Sequence, residues 1–302
     1  MGQKVNAKIF RLGYNNNDWS SKYLEQNCHE LSLYIYQDIE IKNYIDKFFK
    51  QHKLFVHFCR IQRSEAGLNI FISYYTSLKS LYLINNINLT QKILLSMKKK
   101  KKKINKRLWI IYILKKKIYI KNNFHTNNDF LEKLLQSLSI FTKKTLNINL
   151  ILQNLNKGLS LQLSHNQLKS LKRNILKLRT YFKSLFFKEC INILIIVIKK
   201  KNSAKLLAEF LAFQFSVLKR HNYFLNFLKR VLILTLNSEL SLIYGIKLSI
   251  KGRLNGKPRA KNKMLLIGKV PLNSLDAKIN YSFSVGYSKY GTFGIKVWIC
   301  EK

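Results

Sequence analysis

The chain has 302 residues, with 55 Lys and Arg against 14 Asp and Glu, a formal net charge of +41. Such an excess repels itself unless a polyanion neutralises it, which disfavours a free small-molecule enzyme. Yet 47% of the residues are hydrophobic and 13% aromatic, so the chain buries a real core, and its length suits about two domains. Cys28, Cys59, Cys190 and Cys300 form no CxxC metal pair and suggest no disulfide framework.

The opening Met1-Gly2-Gln3-Lys4-Val5-Asn6 carries no apolar signal segment. The apolar runs Trp109–Leu114 and Ile193–Ile198 are bounded by lysines and too short to span a membrane. Each reads as a core strand, and no membrane partner is expected. Lys, Asn, Ile, Leu and Phe crowd the chain while Gly is 11 and Pro 2, the bias of an AT-rich genome.

In chain order, Lys22–Lys50 reads as a helix carrying Leu24, Leu31, Ile35, Ile41, Ile45, Phe48 and Phe49. Leu54–Ile61 and Leu68–Tyr75 are rich in β-branched and aromatic residues, and Ser64-Glu65-Ala66-Gly67 joins them as a hairpin. From Ala66 to Asn128 there is no carboxylate, and Lys98–Lys103 is an unbroken lysine run. Residues 78–157 therefore read as a basic, low-complexity insertion with some helical pieces. Leu168, Leu171, Ile175, Leu178, Phe182 and Leu185 step by three and four, the pattern of an amphipathic helix. Glu189–Ile198 reads as a buried strand.

Ser203 is placed to cap a helix running to about Phe215, and a second helix follows over about 217–236. On the second, Lys219, Asn222, Asn226 and Lys229 line one face with Arg230 adjoining. The period then changes to two over Tyr244–Leu254, Lys263–Val270, Ala277–Val285 and Phe293–Ile299. These predict a four-stranded antiparallel sheet with a polar face, giving an α+β unit.

Catalytic chemistry finds little support. There is no HExxH pair, nucleophile elbow, P-loop or dinucleotide-binding turn. Metal-dependent nucleases need clustered carboxylates, and 36 residues without one separate Glu239 from Asp276. No enzymatic activity, cofactor or metal is expected. That same carboxylate-free stretch carries Lys247, Lys251, Arg253, Lys257, Arg259, Lys261, Lys263 and Lys269, a surface suited to phosphates through counterion release. Tyr281, Tyr287, Tyr290 and Trp298 are interleaved with it; at sheet spacing, core packing is favoured over base stacking.

The two ends of the chain resemble one family. Met1-Gly-Gln-Lys-Val-Asn, Phe10-Arg-Leu-Gly13 and Asp18-Trp19-Ser-Ser-Lys22-Tyr23 are similar to the opening of small-subunit ribosomal protein S3. So are Glu209–Arg230, Gly252-Arg-Leu-Asn-Gly256, Gly268-Lys-Val-Pro-Leu272, Tyr290-Gly291 and Gly294-Ile-Lys-Val-Trp-Ile299 at the other end. The resemblance covers about 1–77 and 158–302. It implies a type II KH-like domain begun in 1–77, interrupted by the 78–157 insertion and completed in 158–200. A C-terminal α+β domain of two helices and a four-stranded antiparallel sheet then occupies 201–302.

It further implies a structural constituent of the small-subunit head whose partners are rRNA, mRNA and neighbouring head proteins. By this resemblance Lys4, Arg11, Lys251, Arg253, Asn255, Lys257, Arg259 and Lys261 are the expected rRNA contacts. Lys219, Arg220, Lys229 and Arg230 are the expected residues of the mRNA channel. Two departures stand out. The family's GxxG turn has no counterpart, since no glycine lies between Gly67 and Gly158. The channel helix, typically Phe-Arg-Arg-Ala-Met-Lys-Arg, reads Phe224-Leu225-Asn226-Phe227-Leu228-Lys229-Arg230 here. A family-like start at Met1 together with AT-type composition points to a mitochondrial ribosome, with a plastid or an AT-rich bacterium as the alternative source. The rival function is an organellar intron maturase or another basic RNA-binding protein, and the former requires a carboxylate constellation.

Overall fold

The computed structural model describes residues 5–14, 19–25, 27–64, 67–77, 80, 128–142, 147–156, 164–238 and 241–302. The lysine run and the apolar run Trp109–Leu114 lie outside the described residues. The fold is α+β, with helices and two four-stranded sheets.

The first sheet has the order β1-β2-β3-β4. Strands β2 (Leu54–Ser64) and β3 (Gly67–Thr76) form an antiparallel hairpin; β1 (Ser21–Lys22) runs parallel to β2, and β4 (Ile148–Asn154) parallel to β3. Helices α1 (Glu30–Gln51) and α2 (Asn128–Phe141) cover this sheet. Ile41, Ile45 and Phe49 of α1 and Leu134 and Leu138 of α2 meet Leu54, Val56, Ile61, Leu68, Ile70 and Ile72 in one cluster. The predicted helix thus starts later than Lys22, which pairs in β1 with Gln62, and Leu24, Leu31 and Ile35 are exposed.

The domain boundaries also differ from expectation. Helix α2 and strand β4, inside the expected 78–157 insertion, complete the first core and the first sheet. Residues 164–199, expected to finish that domain, pack instead with the C-terminal helices. They form α3 (His165–Leu176), a 3-10 turn (Arg179–Tyr181) and α4 (Phe187–Lys199). Apolar surface decides both assignments: each segment buries its stripe where a complementary face exists.

Helix α4 replaces the strand predicted over Glu189–Ile198. Phe187, Cys190, Ile191, Ile193, Leu194, Ile196, Val197 and Ile198 are all buried, so β-branched side chains find partners around almost the whole helix. Tertiary burial overrides their weak preference for strand. Spacing offers a trace of the true period, since the exposed Lys188 and Asn192 and the half-buried Ile195 and Lys199 step by four, three and four.

Helix α5 (Ala204–Val217) begins where the sequence predicts, but Ser203 does not cap it. Its hydroxyl donates to the Val197 carbonyl at 3.0 Å. Helix α6 (His221–Leu236) follows. Both lie on the second sheet, β6-β5-β8-β7, built from β5 (Ile243–Gly252), β6 (Lys261–Gly268), β7 (Ile279–Ser288) and β8 (Gly291–Glu301). All three of its pairings are antiparallel.

Strand β8 turns Phe293, Ile295, Val297 and Ile299 into the core. Strand β7 inverts the simple alternation rule. Phe283, Val285 and Tyr287 are exposed, while Ser284 and Gly286, paired opposite Ile295 and Phe293, face α5. The reason is close approach. Ser284 donates its hydroxyl to the Ala208 carbonyl at 2.6 Å, and a Cβ on Gly286 would stand 2.6 Å from the Ala212 carbonyl oxygen. Only small residues fit beneath the helix.

Helix α5 also joins the two sheets. Phe55 of β2 packs edge-on against Phe210 and Phe213, with ring centroids 6.0 and 5.8 Å apart. Lys205 pairs with Asp46 at 2.7 Å, and Glu209 accepts the weaker approach of Lys50 at 3.7 Å. Among the described residues no helix is long and apolar enough to cross a membrane. Gly286→Ala overpacks the α5–β7 contact and is expected to cost about 2 kcal/mol. A fall in the urea midpoint at constant slope checks this, with Gly294→Ala as reference, where a Cβ meets only the Phe283 ring at 3.5 Å.

Candidate nucleic-acid interface

Helix α6 buries one arc and shows the other. His221, Phe224, Leu225, Phe227, Leu228, Val231, Leu232 and Thr235 are buried, whereas Asn222, Tyr223, Asn226, Lys229 and Arg230 are exposed. Lys219 and Arg220, just ahead of the helix, are exposed as well. The four channel cations expected from sequence therefore share one accessible strip, about 12 Å from the helix start to Lys229 at 1.5 Å per residue. Leu225 stands where the family resemblance calls for arginine, and it is 4% exposed within the main hydrophobic cluster. A guanidinium there would have to leave the core, so this position displays no cation.

Strand β6 forms one bank of the strip: the Lys263 ammonium donates to the Asn222 side-chain oxygen at 2.5 Å. The 3-10 turn Arg179–Tyr181 forms the other. Tyr223 donates its hydroxyl to the Thr180 carbonyl at 3.3 Å, and the Arg230 guanidinium lies 5.7 Å from the centre of the Tyr181 ring.

The loop between β5 and β6 is tied to the start of α6. Arg220, the residue preceding the helix, supplies no side-chain cap. Asn255 does so from the loop: its side-chain oxygen accepts the His221 backbone N–H at 2.8 Å, and its own N–H donates to His221 Nδ1 at 2.9 Å. Asn255 takes a left-handed backbone, φ 56°, a conformation asparagine tolerates. His221 Nε2 lies 3.1 Å from the Phe215 carbonyl. This network assigns the neutral tautomer with its proton on Nε2. Burial lowers the His221 pKa below its usual 6.5, against the raising effect of the Phe215 and Leu218 carbonyls.

The expected rRNA contacts separate into two groups. Lys251, Lys257, Arg259 and Lys261 are exposed around this hairpin. Arg253 is exposed too, yet it staples the loop, donating Nε to the Lys257 carbonyl at 3.0 Å and Nη1 to the Tyr290 carbonyl at 3.3 Å. Asn255 spends its amide oxygen on the helix cap, a structural role the sequence did not disclose.

Arg11 corrects the expectation outright. It is 0% exposed. Its guanidinium donates to the carbonyls of Ala7 at 2.8 Å, Leu272 at 2.7 Å, Ser274 at 2.7 Å and Pro271 at 3.5 Å. With those donors engaged inside the fold, it is not an RNA contact here. It locks residues 5–14 over the sheet face opposite α6, where Ala7, Ile279 and Cys300 make a small core. Lys4 lies outside the described residues. Trp298 packs beside Tyr281 and under Lys247 in the same region, while Tyr287 and Tyr290 are exposed.

Comparison with known proteins agrees with this geometry. Residues 218–299 match the family described as ribosomal protein S3, C-terminal domain. Among curated proteins, the small ribosomal subunit protein uS3 of Sulfurimonas denitrificans is 40% identical over 101 residues, 33% of this chain and 39% of that protein. The uS3 of Campylobacter hominis is 39% identical over 98 residues, 32% of this chain and 40% of that protein. The uS3 of Aquifex pyrophilus is 46% identical over 55 residues, 18% of this chain and 24% of that protein. The matched stretches thus span a quarter to two fifths of these relatives.

Two expectations follow from the Asn255–His221 latch. Asn255→Ala removes a helix cap and should cost about 1 kcal/mol, read as a lowered urea midpoint. His221 folds with a depressed pKa, so its contribution is fully present above 6.5 and is lost as the pH falls below it. His57, whose pKa burial pushes down to about 4, acts in the same sense. The unfolding midpoint should be flat from about pH 8 to pH 7 and decline steadily toward pH 5.

Proposed function

We propose, from the match of residues 218–299 to the ribosomal protein S3 C-terminal domain, that the chain is a member of that family and a structural, non-enzymatic constituent of the small ribosomal subunit. It binds RNA through the α6 strip and the β5–β6 hairpin. The observation that carries this reading is the accessible line of Lys219, Arg220, Lys229 and Arg230 within the stretch matching the S3 C-terminal domain. Uncompensated cations on a rigid helix neutralise phosphates with counterion release, and such binding needs no catalytic group.

In this reading Lys229 and Arg230, aided by Lys219 and Arg220, face mRNA as it enters the subunit. Lys251, Arg253, Lys257, Arg259 and Lys261 meet rRNA of the head. Arg253 keeps part of its guanidinium outward while stapling the loop, and Lys261 offers charge without the arginine fork. The first sheet is a type II KH-like unit: a β2–β3 hairpin, then a helix, then β4 parallel to β3 support that topology. With no glycine from 68 to 157, a GxxG turn does not serve it, and RNA affinity rests on the C-terminal unit. The Lys-, Asn- and Ile-rich composition supports a mitochondrial ribosome as its site of action.

The test is to isolate ribosomes from the source compartment, separate the subunits and follow the chain by mass spectrometry through a high-salt wash. The chain is expected to sediment with the small subunit and to remain after the wash. Its absence, or its release at modest salt while the other core proteins stay, would overturn the reading.

A further inference from the structure

The segment 164–188 is not part of the stretch that matches the S3 C-terminal domain, yet it is built against α6. Ser164 and Gln167 form a reciprocal capping box that starts α3. Leu171 and Leu178 are buried, and Ile175 packs on the main cluster. Asn174 donates its amide to the Leu234 carbonyl at 3.4 Å near the far end of α6. Tyr181 packs with its ring tilted against Tyr223 and Phe227, each 5.0 Å away between centres. These contacts hold the segment as a strap beside the exposed strip of the helix.

The strap is cationic and unopposed. Lys172, Arg173, Lys177, Arg179, Lys183 and Lys188 are all exposed. From 164 to 208 the one carboxylate is Glu189, which is buried. Hydrophobic packing has therefore brought a second row of positive charge alongside the first, although like charges repel and nothing in the strap's own apolar stripe requires lysine on its outer side. Clustering of that kind is favourable only when a polyanion lies between the rows. Phe182 and Tyr223 are exposed, at 43% and 42%, which offers ring faces for unpaired bases.

We propose that the strap and α6 form the two banks of a single trough that takes a single-stranded RNA segment. Lys177, Arg179 and Lys183 hold its phosphates opposite Lys229 and Arg230. The inference rests on the RNA-binding reading of α6 and adds a bank that the family stretch does not contain. The strap restores positive charge beside a helix in which Leu225 is buried and Asn226 is neutral.

Three variants of the full chain test it, each assayed against a labelled oligouridylate and against an RNA hairpin across a salt series. One is Lys177→Gln/Arg179→Gln/Lys183→Gln in the strap. The second is Lys229→Gln/Arg230→Gln. The third, a control, is Lys22→Gln/Lys47→Gln/Lys278→Gln, which removes the same charge from exposed sites elsewhere. Loss of three phosphate contacts should reduce the slope of log affinity against log salt by about 2 for the strap variant on oligouridylate, with a change well under 1 for the control. A strap variant that falls no further than the control, or that weakens hairpin binding alone, overturns the proposal. If Lys229→Gln/Arg230→Gln weakens binding while the strap variant does not, the trough is wrong and the α6 reading stands. If neither weakens it, both fall.

Discussion

The close seating of α5 on β7 is the constraint from which the rest of the structure follows. Ala208 and Ala212, one helical turn apart, approach Ser284 and Gly286 so nearly that no larger residue fits between them. The opposite side of the helix receives Phe55 from the first sheet. A helix held from both sides has no freedom of rotation, and its remaining flanks set where neighbours can lie. Helices α4 and α6 take those flanks, and Phe186, Phe224 and Phe227 fill the space between them with rings 5.0 to 6.4 Å apart. The strip of α6 left uncovered is what remains after this packing is satisfied.

Charge is distributed by the same logic. A formal +41 cannot enter a core, so cations collect on whatever surfaces the apolar residues leave open. The exceptions show what burial of an arginine demands. Arg63 meets Asp38 at 2.8 Å with both side chains nearly inaccessible, and its guanidinium lies 4.6 Å from the Tyr34 ring centre. Arg11 has four backbone carbonyls instead of a carboxylate. Both hold the fold together. The arginines and lysines of α6, the strap and the β5–β6 hairpin are the other kind: outward, adjacent to one another and short of carboxylates. Their mutual repulsion is tolerable in a folded chain because the scaffold beneath them is rigid, and in the proposed role RNA phosphates would relieve it.

Much of this was legible in the chain, and the failures have physical causes. The polar face of α6 was readable because a helix surface obeys a 3.6-residue period whatever lies under it. Strand β8 was readable for the analogous reason. Helix α4 was hidden, since a segment apolar on nearly every side shows no clean period, and its isoleucines and valine suit a strand equally well. Strand β7 was readable as a strand but not in its facing, because the helix above it comes too close for the larger residues. Arg11 and Asn255 carried the right motif and a different job. Their partners lie some 260 and 34 positions away in the chain, and no local pattern reports contacts at such range. The placement of α2 and β4 in the first core is not legible in the chain, because a lysine-rich composition dominates the residues before them.

The central claim is that the uncovered strip of α6 exists to face RNA. A reconstruction of the small subunit carrying this chain, at a resolution that separates phosphates from side chains, tests it most directly. Nucleic-acid density is expected along Lys219, Arg220, Lys229 and Arg230, with Arg11 enclosed by the 271–274 loop and away from any phosphate. Density for another protein packed flat over that strip, or RNA confined to the opposite face of the sheet, would contradict it.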